Sequence, residues 1–312
     1  MDKLVSVVLP TYNGEKWLAQ SIESVLNQTY KNLELIIVND CSSDNTPTII
    51  ESFAKVDSRV KIIHNATNQK LPKSLNIGFD VARGDYYTWT SDDNYYELNA
   101  IEEMVSYLEK NTHKILVCSD YMRIFTEEGK TKRTLVSEKI EDIISYDCIG
   151  ACFLYRAEIA KALGGYSEEK FKVEDYDYFL KMGLKGEFGT IHQILYTYRS
   201  HKDSLSGTQA KNEVAIKTEQ LLREYLPLYL DKYHNLNIDT DIRLKARALA
   251  ITNSYSELNK LCQETKQKRY IYRTLRFMYI ATKDTKILDS IMQLGIIYRI
   301  KFWIYCKSRN IS

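Results

Sequence analysis

The first part of the chain alternates short apolar runs with longer segments whose apolar residues recur at helical spacing. Short runs rich in β-branched residues predict buried strands, and the longer segments predict amphipathic helices. The predicted strands cover residues 4–9, 33–38, 60–64, 86–90 and 115–119. The predicted helices lie between them, at 15–27, 46–55, 73–81 and 99–111. This alternation predicts right-handed βαβ units and an α/β fold with a mainly parallel sheet.

The pattern becomes less regular after residue 121 and changes again near residue 207. Two further strands are predicted at 149–155 and 190–198, with helices at 156–163 and 173–185 between them. Beyond residue 207 only helices are predicted, at 213–230, 241–264, 270–281, 285–294 and 296–307. We therefore predict an α/β domain over residues 1–206 and a helical region over residues 207–312.

Polar residues follow three of the predicted strands at the point where each strand ends, at 11–13, 39–40 and 91–93. Ligands of open parallel sheets bind beyond the carboxyl ends of the strands, so these segments predict a nucleotide pocket. The usual phosphate-binding loops are absent, since neither GxGxxG nor GxxxxGK[ST] occurs. A dinucleotide-dependent dehydrogenase and a P-loop enzyme therefore lose their main support.

Two adjacent carboxylates, Asp92 and Asp93, stand at one of these strand ends. Their mutual repulsion would be relieved by a divalent cation, and Mg²⁺ or Mn²⁺ prefers such hard oxygen ligands. The alternative interpretation is a polar turn in which Asn94 ends the strand.

Composition narrows the classes of function. The chain has 312 residues, 44% of them hydrophobic, and a net charge of only +2, which argues against a general nucleic-acid binder. Its six cysteines form no CxxC pair, which argues against a zinc site and is typical of reduced cytosolic thiols. The N-terminus has the residues of a strand rather than of a signal peptide, so a cytoplasmic location is expected.

Four ordered segments resemble the family-2 glycosyltransferases, which have the GT-A fold. They are 5–13 (VSVVLPTYN), 36–46 (IIVNDCSSDNT), 84–94 (GDYYTWTSDDN), and 164–166 (GGY) followed by 174–175 (ED). Four motifs in the family's order are far more specific than any one of them. The resemblance covers about the first two-thirds of the chain and implies a nucleotide-sugar donor, usually a UDP-sugar.

The resemblance also implies roles for single residues. Thr11 and Asp40 match positions that contact the nucleotide base, Asp92 the position that holds the ribose, and Asp93 the ligand of Mn²⁺ or Mg²⁺. The other expected donor-binding residues are Tyr12, Asn13 and His201. Two departures from the family pattern are Ser91, where many members have the first Asp of Asp-x-Asp, and Cys41, where Gly is common.

By the same resemblance, Asp175 is the general base of an inverting transfer, and Glu174 either orients the acceptor or helps to fix the loop. Such a reaction needs a carboxylate within hydrogen-bond reach of the attacking hydroxyl. The simpler alternative is that both acids only begin a helix, where they complement its dipole. Likewise, His201 is either a diphosphate or metal contact or a structural histidine, and its neighbours Arg199 and Lys202 are candidates to neutralise phosphate charge.

The expected function is therefore an inverting, metal-dependent glycosyltransferase of surface polysaccharide assembly, acting on a saccharide or lipid-linked acceptor. The alternatives are a catalytically inactive module that binds sugar nucleotides or acts as a scaffold, and a nucleotidyltransferase. The latter normally has a Gly-rich basic loop after the first strand, which 10–14 (PTYNG) is not.

Aromatic and basic residues interleave near the C-terminus, above all in 296–307 (IIYRIKFWIYCK). One interpretation is a peripheral contact with an anionic membrane, where a lipid-linked acceptor would be found. The other is a helical cap with a packed aromatic core.

Overall fold

The computed structural model describes residues 3–202, 204–205, 211–234 and 236–308. The chain divides into two compact units. The first comprises Met1–Glu138 and Cys148–Gly207, and the second comprises Lys139–Asp147 and Thr208–Ser312.

The first unit is built on one mixed sheet. Over the described residues its strand order is β3-β2-β1-β4-β8-β6-β9-β5, and β7 pairs with β6. The strands are β1 (Val5–Thr11), β2 (Leu33–Asn39), β3 (Val60–His64), β4 (Tyr86–Trp89), β5 (Tyr95–Tyr96), β6 (Lys114–Phe125), β7 (Lys130–Thr134), β8 (Phe153–Arg156) and β9 (Glu187–Ser200). Its helices are α1 (Leu18–Leu26), α2 (Thr46–Val56), α3 (Lys70–Asp80), α4 (Ala100–Lys110), α6 (Ala157–Leu163) and α7 (Glu174–Gly183).

The predicted α/β architecture is confirmed. Strands β1 to β4 are joined by parallel pairings, in which β1 lies between β2 and β4. Every residue of β1 and β2 is buried, which is typical of parallel strands covered on both faces and explains their continuous apolar runs.

Antiparallel pairings and one parallel pairing, between β6 and β9, join the other strands, and the hydrophobic pattern predicts these poorly. β8 pairs with β4 and β6, and β5 pairs with β9. β7 has the sequence Lys-Thr-Lys-Arg-Thr and is mostly exposed, so it has no apolar alternation to detect. It is a strand because its main chain pairs with β6, which extends to Phe125 rather than ending at 119.

Glu34 is a buried carboxylate within β2. It accepts hydrogen bonds from the Ser6 hydroxyl at 2.7 Å, the Lys61 ammonium at 2.7 Å and the Arg83 main-chain N–H at 2.7 Å. Burial alone would raise its pKa, but these bonds more than offset the desolvation and lower the pKa from 4.5 to about 2. Glu34 is therefore ionised in the folded protein over a pH range in which the unfolded chain already takes up a proton.

We expect this carboxylate to contribute to acid unfolding. Because its pKa is depressed in the folded state, its stabilisation is present above pH 4.5 and is lost as the pH falls towards 2. The full loss, reached below pH 2, should be on the order of 3 kcal/mol at about 1.4 kcal/mol per pKa unit, and about 2 kcal/mol of it should appear between pH 6 and pH 3. Urea unfolding at pH 6 and pH 3 measures it. If Glu34→Gln lost as much stability between pH 6 and pH 3 as the unchanged protein does, Glu34 would not be the source of the loss.

The second unit is helical. Its helices are α5 (Ile140–Ile143), α8 (Lys211–Lys232), α9 (Ile242–Ile251), α10 (Tyr255–Glu264), α11 (Lys268–Thr282), α12 (Thr285–Gln293) and α13 (Ile296–Ser308). The predicted single helix over 241–264 is wrong, because the chain turns between α9 and α10. Asn253 lies there with φ of 60°, a left-handed conformation that a continuous helix does not contain. No helix in the described ranges has both the length and the apolar character needed to cross a bilayer.

A buried ion pair ties the short segment 139–147 to the helices of the second unit. Arg247 donates to both carboxylate oxygens of Glu219, at 2.8 and 2.6 Å, and to the Ser145 carbonyl at 2.7 Å. Arg247 is 5% exposed and Glu219 is 6% exposed. One guanidinium therefore links α8, α9 and the residues that follow α5.

Glu219→Ala should destabilise the second unit by about 3–5 kcal/mol, because it leaves the Arg247 charge buried without its carboxylate. The matched control is Glu213→Ala, on the same helix, whose pair with Lys217 at 3.4 Å is partly exposed. That change should cost less than about 1 kcal/mol. Urea unfolding followed by circular dichroism measures the loss in free energy of unfolding for each variant. Equal losses would show that the buried pair stabilises the protein no more than the exposed one.

Candidate active site

The polar ends of β1, β2 and β4 meet at one edge of the sheet. Thr11 pairs with Asn39 in the register of β1 and β2, and Thr90, just after β4, donates its N–H to the Val8 carbonyl at 3.0 Å. This hydrogen bond places the turn that follows Thr90 beside the end of β1. There the Thr11 hydroxyl donates to Asp92 Oδ2 at 2.6 Å. The structure thus joins two of the predicted donor-binding residues.

Gly14 makes this approach possible. A Cβ atom at Gly14 would lie 2.3 Å from Asp92 Oδ2 and 2.6 Å from Thr11 Oγ1, which is too close for any side chain. The sequence does not reveal this role, because Asp92 is far from Gly14 in the chain.

The Asp92 carboxyl lies in a poorly solvated place. Burial raises its pKa to about 6, the hydrogen bond from Thr11 opposes this rise, and the charge of Asp93 adds to it. Two carboxylates placed together in this way cost free energy unless a cation or donors compensate them.

Asp93 contacts His201, which is 108 positions away in the sequence. His201 Nε2 lies 2.9 Å from Asp93 Oδ2, and the two side chains are 13% and 18% exposed. The other carboxylate oxygen, Asp93 Oδ1, is buried and has no hydrogen-bond partner among the described residues. Buried carboxylate oxygens are normally satisfied, so this atom fits a ligand that the protein chain does not supply.

The donor set at Asp93 fits a divalent cation held in part by substrate. Within the described ranges, no cluster of three or more His, Cys, Asp or Glu side chains could hold a metal ion by itself. Mg²⁺ and Mn²⁺ sites of nucleotide enzymes need less, since one or two protein groups combine with phosphate oxygens. Asp93 and His201 supply two such groups.

A cluster of aromatic and polar side chains fixes this pair. The Trp17 ring lies 4.8 Å from the His201 ring, and the Arg199 guanidinium lies 5.6 Å from the Trp17 ring. Arg199 donates to the Asp93 carbonyl and to Gln20 Oε1, and its main-chain N–H donates to Asn94 Oδ1 at 2.7 Å. Arg199 is only 9% exposed, so its guanidinium holds the Asp93 turn.

Sequence reasoning missed Trp17 and Gln20 as parts of this site. Both residues fall in the predicted helix at 15–27, Trp17 as one of its apolar positions, and neither carried a functional signal. Their contacts with the residues at the end of β9 exist only in the folded chain.

Asp40 is held by donors from the segment after β3. Oδ1 accepts from Asn65 Nδ2 at 2.8 Å and from the Gln69 N–H at 2.7 Å, and Oδ2 accepts from the Lys70 N–H at 2.9 Å. A carboxylate has about four acceptor positions, so Oδ2 can take one further donor. The Asp40 N–H donates to the Thr11 carbonyl at 2.9 Å, which ties this residue to the same strand end.

The loops that carry Tyr12, Asn13 and Cys41 are docked on one another. Asn13 donates its N–H to Ser42 Oγ at 3.0 Å and accepts from the Ser43 N–H at 2.8 Å. Cys41 has φ of 65°, a left-handed conformation that explains why glycine suits this position. Tyr12 is 53% exposed, which leaves its ring accessible to a ligand.

Glu174 and Asp175 lie in the first turn of α7, as predicted. An aromatic layer fixes this helix: Phe179 packs edge-on against Phe153 of β8 at 5.0 Å, and Phe153 packs against Trp89 of β4 at 5.9 Å. Glu174 is buried and Asp175 is half-buried.

Asp177, one turn further along α7, is a poor alternative to Asp175 as a catalytic carboxylate. It is fully buried and forms an ion pair with Lys181 at 2.7 Å. A carboxylate engaged by an ammonium group in this way is a poorer acceptor for the proton of an attacking hydroxyl.

Comparison with solved structures shows the same fold in known glycosyltransferases. S. aureus TarS 1–349 in complex with UDP-GlcNAc has a TM-score of 0.61 and 17% identity, over 92% of this chain and 88% of that one. The mannosyltransferase PcManGT from Pyrobaculum calidifontis, in complex with GDP-Man and Mn²⁺, has a TM-score of 0.56 and 14% identity, over 97% of this chain and 87% of that one.

Comparison of sequences identifies the family, whereas the solved structures show only the fold. The model of the family described as "Glycosyl transferase family 2" matches residues 6–164, the part of the chain that contains Thr11, Asp40, Asp92 and Asp93. An uncharacterised glycosyltransferase of Haemophilus influenzae is 32% identical over 252 residues, which are 73% of this chain and 75% of the relative. The chain therefore belongs to glycosyltransferase family 2.

Proposed function

We propose that this glycosyltransferase moves a sugar from a UDP-sugar to a saccharide or lipid-linked saccharide acceptor, with inversion and with the help of Mn²⁺ or Mg²⁺. We place the reaction in surface polysaccharide assembly, at the cytoplasmic face of the membrane. The observation that carries the proposal is the Asp93–His201 pair, with its unsatisfied carboxylate oxygen beside the Thr11–Asp92 contact.

The donor end of the proposal rests on Asp40 and Thr11. The remaining acceptor position of Asp40 Oδ2 suits an N–H such as the imide of uracil, which cytosine lacks. Asp92, fixed by Thr11, is the candidate to accept ribose hydroxyls. A nucleotide-sugar donor agrees with the ligands of TarS and PcManGT, which bind UDP-GlcNAc and GDP-Man on the same fold.

Asp93 and His201 would hold the cation against the diphosphate. When bound, the cation supplies charge neutralisation at the leaving group. The chain's own contribution is to keep the carboxylate in place, since Arg199 holds the Asp93 carbonyl and Trp17 packs on His201. PcManGT, which shares the fold, was solved with Mn²⁺.

Asp175 is the proposed general base. In an inverting transfer the acceptor hydroxyl attacks from the face opposite the leaving diphosphate and must lose its proton as the bond forms. The carboxylate of Asp175 would accept that proton, while Glu174 would orient the acceptor. The aromatic packing of α7 holds both groups on a rigid helix.

Two assays on the full chain test the proposal. Thermal shift with UDP-sugars should show stabilisation that depends on Mn²⁺, because a ligand that binds only the folded state raises stability with the logarithm of its concentration over Kd. Slow release of UDP from the matching donor should then occur. Binding without release, even with acceptor present, would indicate an inactive sugar-nucleotide-binding module, and no binding at all would refute the donor assignment.

A further inference from the structure

Helix α13 has two apolar faces, and only one of them is packed. On the inner face Tyr298 lies 5.2 Å from Tyr272 of α11, and Phe302 lies 5.4 Å from Tyr279 of α11. The Tyr305 ring is covered by the Arg276 guanidinium at 4.3 Å. Three of the four rings in this helix are therefore held by the second unit's own core.

The outer face of α13 consists of large apolar side chains that remain in solvent. They are Ile296 (72% exposed), Ile297 (62%), Ile300 (53%), Trp303 (62%) and Ile304 (54%). With 3.6 residues per turn, these positions form one continuous stripe opposite the inner face. Of the fourteen large apolar side chains that are exposed in the described chain, five lie on this one helix. Such a concentration marks an interaction surface.

Cations border this stripe. Helical spacing places Arg299 on one side of it and Lys301 on the other, while Lys307 follows at its end with Nζ 4.9 Å from the Trp303 ring. All three are exposed, and neither α13 nor α11 contains an acidic residue. An apolar stripe flanked by long basic side chains matches a lipid surface, where the stems reach along the apolar region and the charges meet the headgroups.

We propose that α13 binds in the interface of an anionic membrane through this outer face. The helix has 13 residues, about 20 Å in length, so it would lie along the surface of a bilayer core about 30 Å thick. A protein partner fits less well, since a standard interface uses about 20–30 residues on each side. The biological reason rests on the proposed function, in which a lipid-linked acceptor would lie in that membrane.

Co-sedimentation of the full chain with vesicles tests the proposal. The chain should bind vesicles of phosphatidylcholine with phosphatidylglycerol, and bind phosphatidylcholine alone far more weakly. Salt should weaken binding, since the attraction is screened within about 10 Å at 0.1 M. The double variant Ile300→Gln, Trp303→Gln should bind at least about tenfold more weakly, because it removes two of the exposed apolar groups that the membrane would bury. Both positions face solvent, so folding should be unaffected.

The matched control is Val56→Gln with Leu98→Gln, which removes two exposed apolar side chains from the first unit, 82% and 62% exposed, and should leave binding unchanged. Lys301→Gln with Lys307→Gln should reduce binding to the anionic vesicles only. The proposal is overturned if the full chain ignores anionic vesicles at low salt, or if the outer-face variant binds as well as the control. It is equally overturned if the chain self-associates through this face and the variant only abolishes that association.

Failure of this inference and failure of the proposed function are separable. Vesicle binding is measured without any donor, and UDP release is measured without vesicles. A chain that binds anionic vesicles but never releases UDP would keep the membrane surface and lose the proposed activity. A chain that releases UDP but does not bind anionic vesicles would keep the proposed activity and lose only the proposed membrane-binding surface.

Discussion

Asp93→Ala is expected to abolish Mn²⁺-dependent binding of UDP while the protein remains folded. The change removes the carboxylate that would hold the cation, so the diphosphate charge is no longer neutralised. The loss in affinity should exceed about 100-fold, since even residues that only support a metal ligand contribute 10–100-fold. The fold should persist because Arg199 donates to the main-chain carbonyl of Asp93, which alanine retains.

Calorimetric titration of UDP in the presence and absence of Mn²⁺ measures this effect. Asp57→Ala is the control, since it removes one charge from a local pair with Arg59 that lies just after α2. The control should bind UDP like the unchanged protein. Unaltered Mn²⁺-dependent affinity in Asp93→Ala would show that another group anchors the cation.

Asp175→Asn should retain donor binding and lose transfer by a factor of about 10² or more, the range for loss of a general base. The amide keeps the shape of the carboxylate but cannot accept the proton of the acceptor hydroxyl. The measurement pairs donor affinity with turnover on a competent acceptor.

Glu169→Gln is the control for this second change, because Glu169 is an exposed acid a few residues before α7. It should leave both quantities unchanged. Transfer at a nearly normal rate in Asp175→Asn would place the base elsewhere. Glu174 would then be the next candidate, since Asp177 is already engaged by Lys181.

The strands and helices of the first unit could largely be predicted because burial on both faces of a parallel sheet demands continuous apolar runs. β1 and β2 are wholly buried and were predicted within one or two residues. The hairpin strand β7 was not, since its polar side chains carry no burial signal and its pairing with β6 uses main-chain groups that every residue has.

Part of the site could also be predicted from the sequence, because of the way in which parallel strands end. Motifs locate residues that follow strand ends, and parallel strands bring those ends together, so Thr11, Asp40 and Asp92 could be grouped from the sequence. The contacts that hold Asp93, the candidate metal ligand, could not be predicted from the sequence. Trp17 and Gln20 meet Arg199 and His201 across more than 170 positions in the chain, and no local pattern encodes such a contact.

The helical region shows the same division. Its amphipathic and basic character was readable from the sequence, but which of two apolar faces of α13 packs inward was not, since either could cover a core. Packing against Tyr272 and Tyr279 turns Tyr298 and Phe302 inward and leaves the isoleucines and Trp303 in solvent. The sequence by itself determined most of the α/β and helical elements, the strand-end carboxylates and the family. The tertiary structure decided which distant side chains support them and which surface is left exposed, because both depend on contacts between residues far apart in the chain.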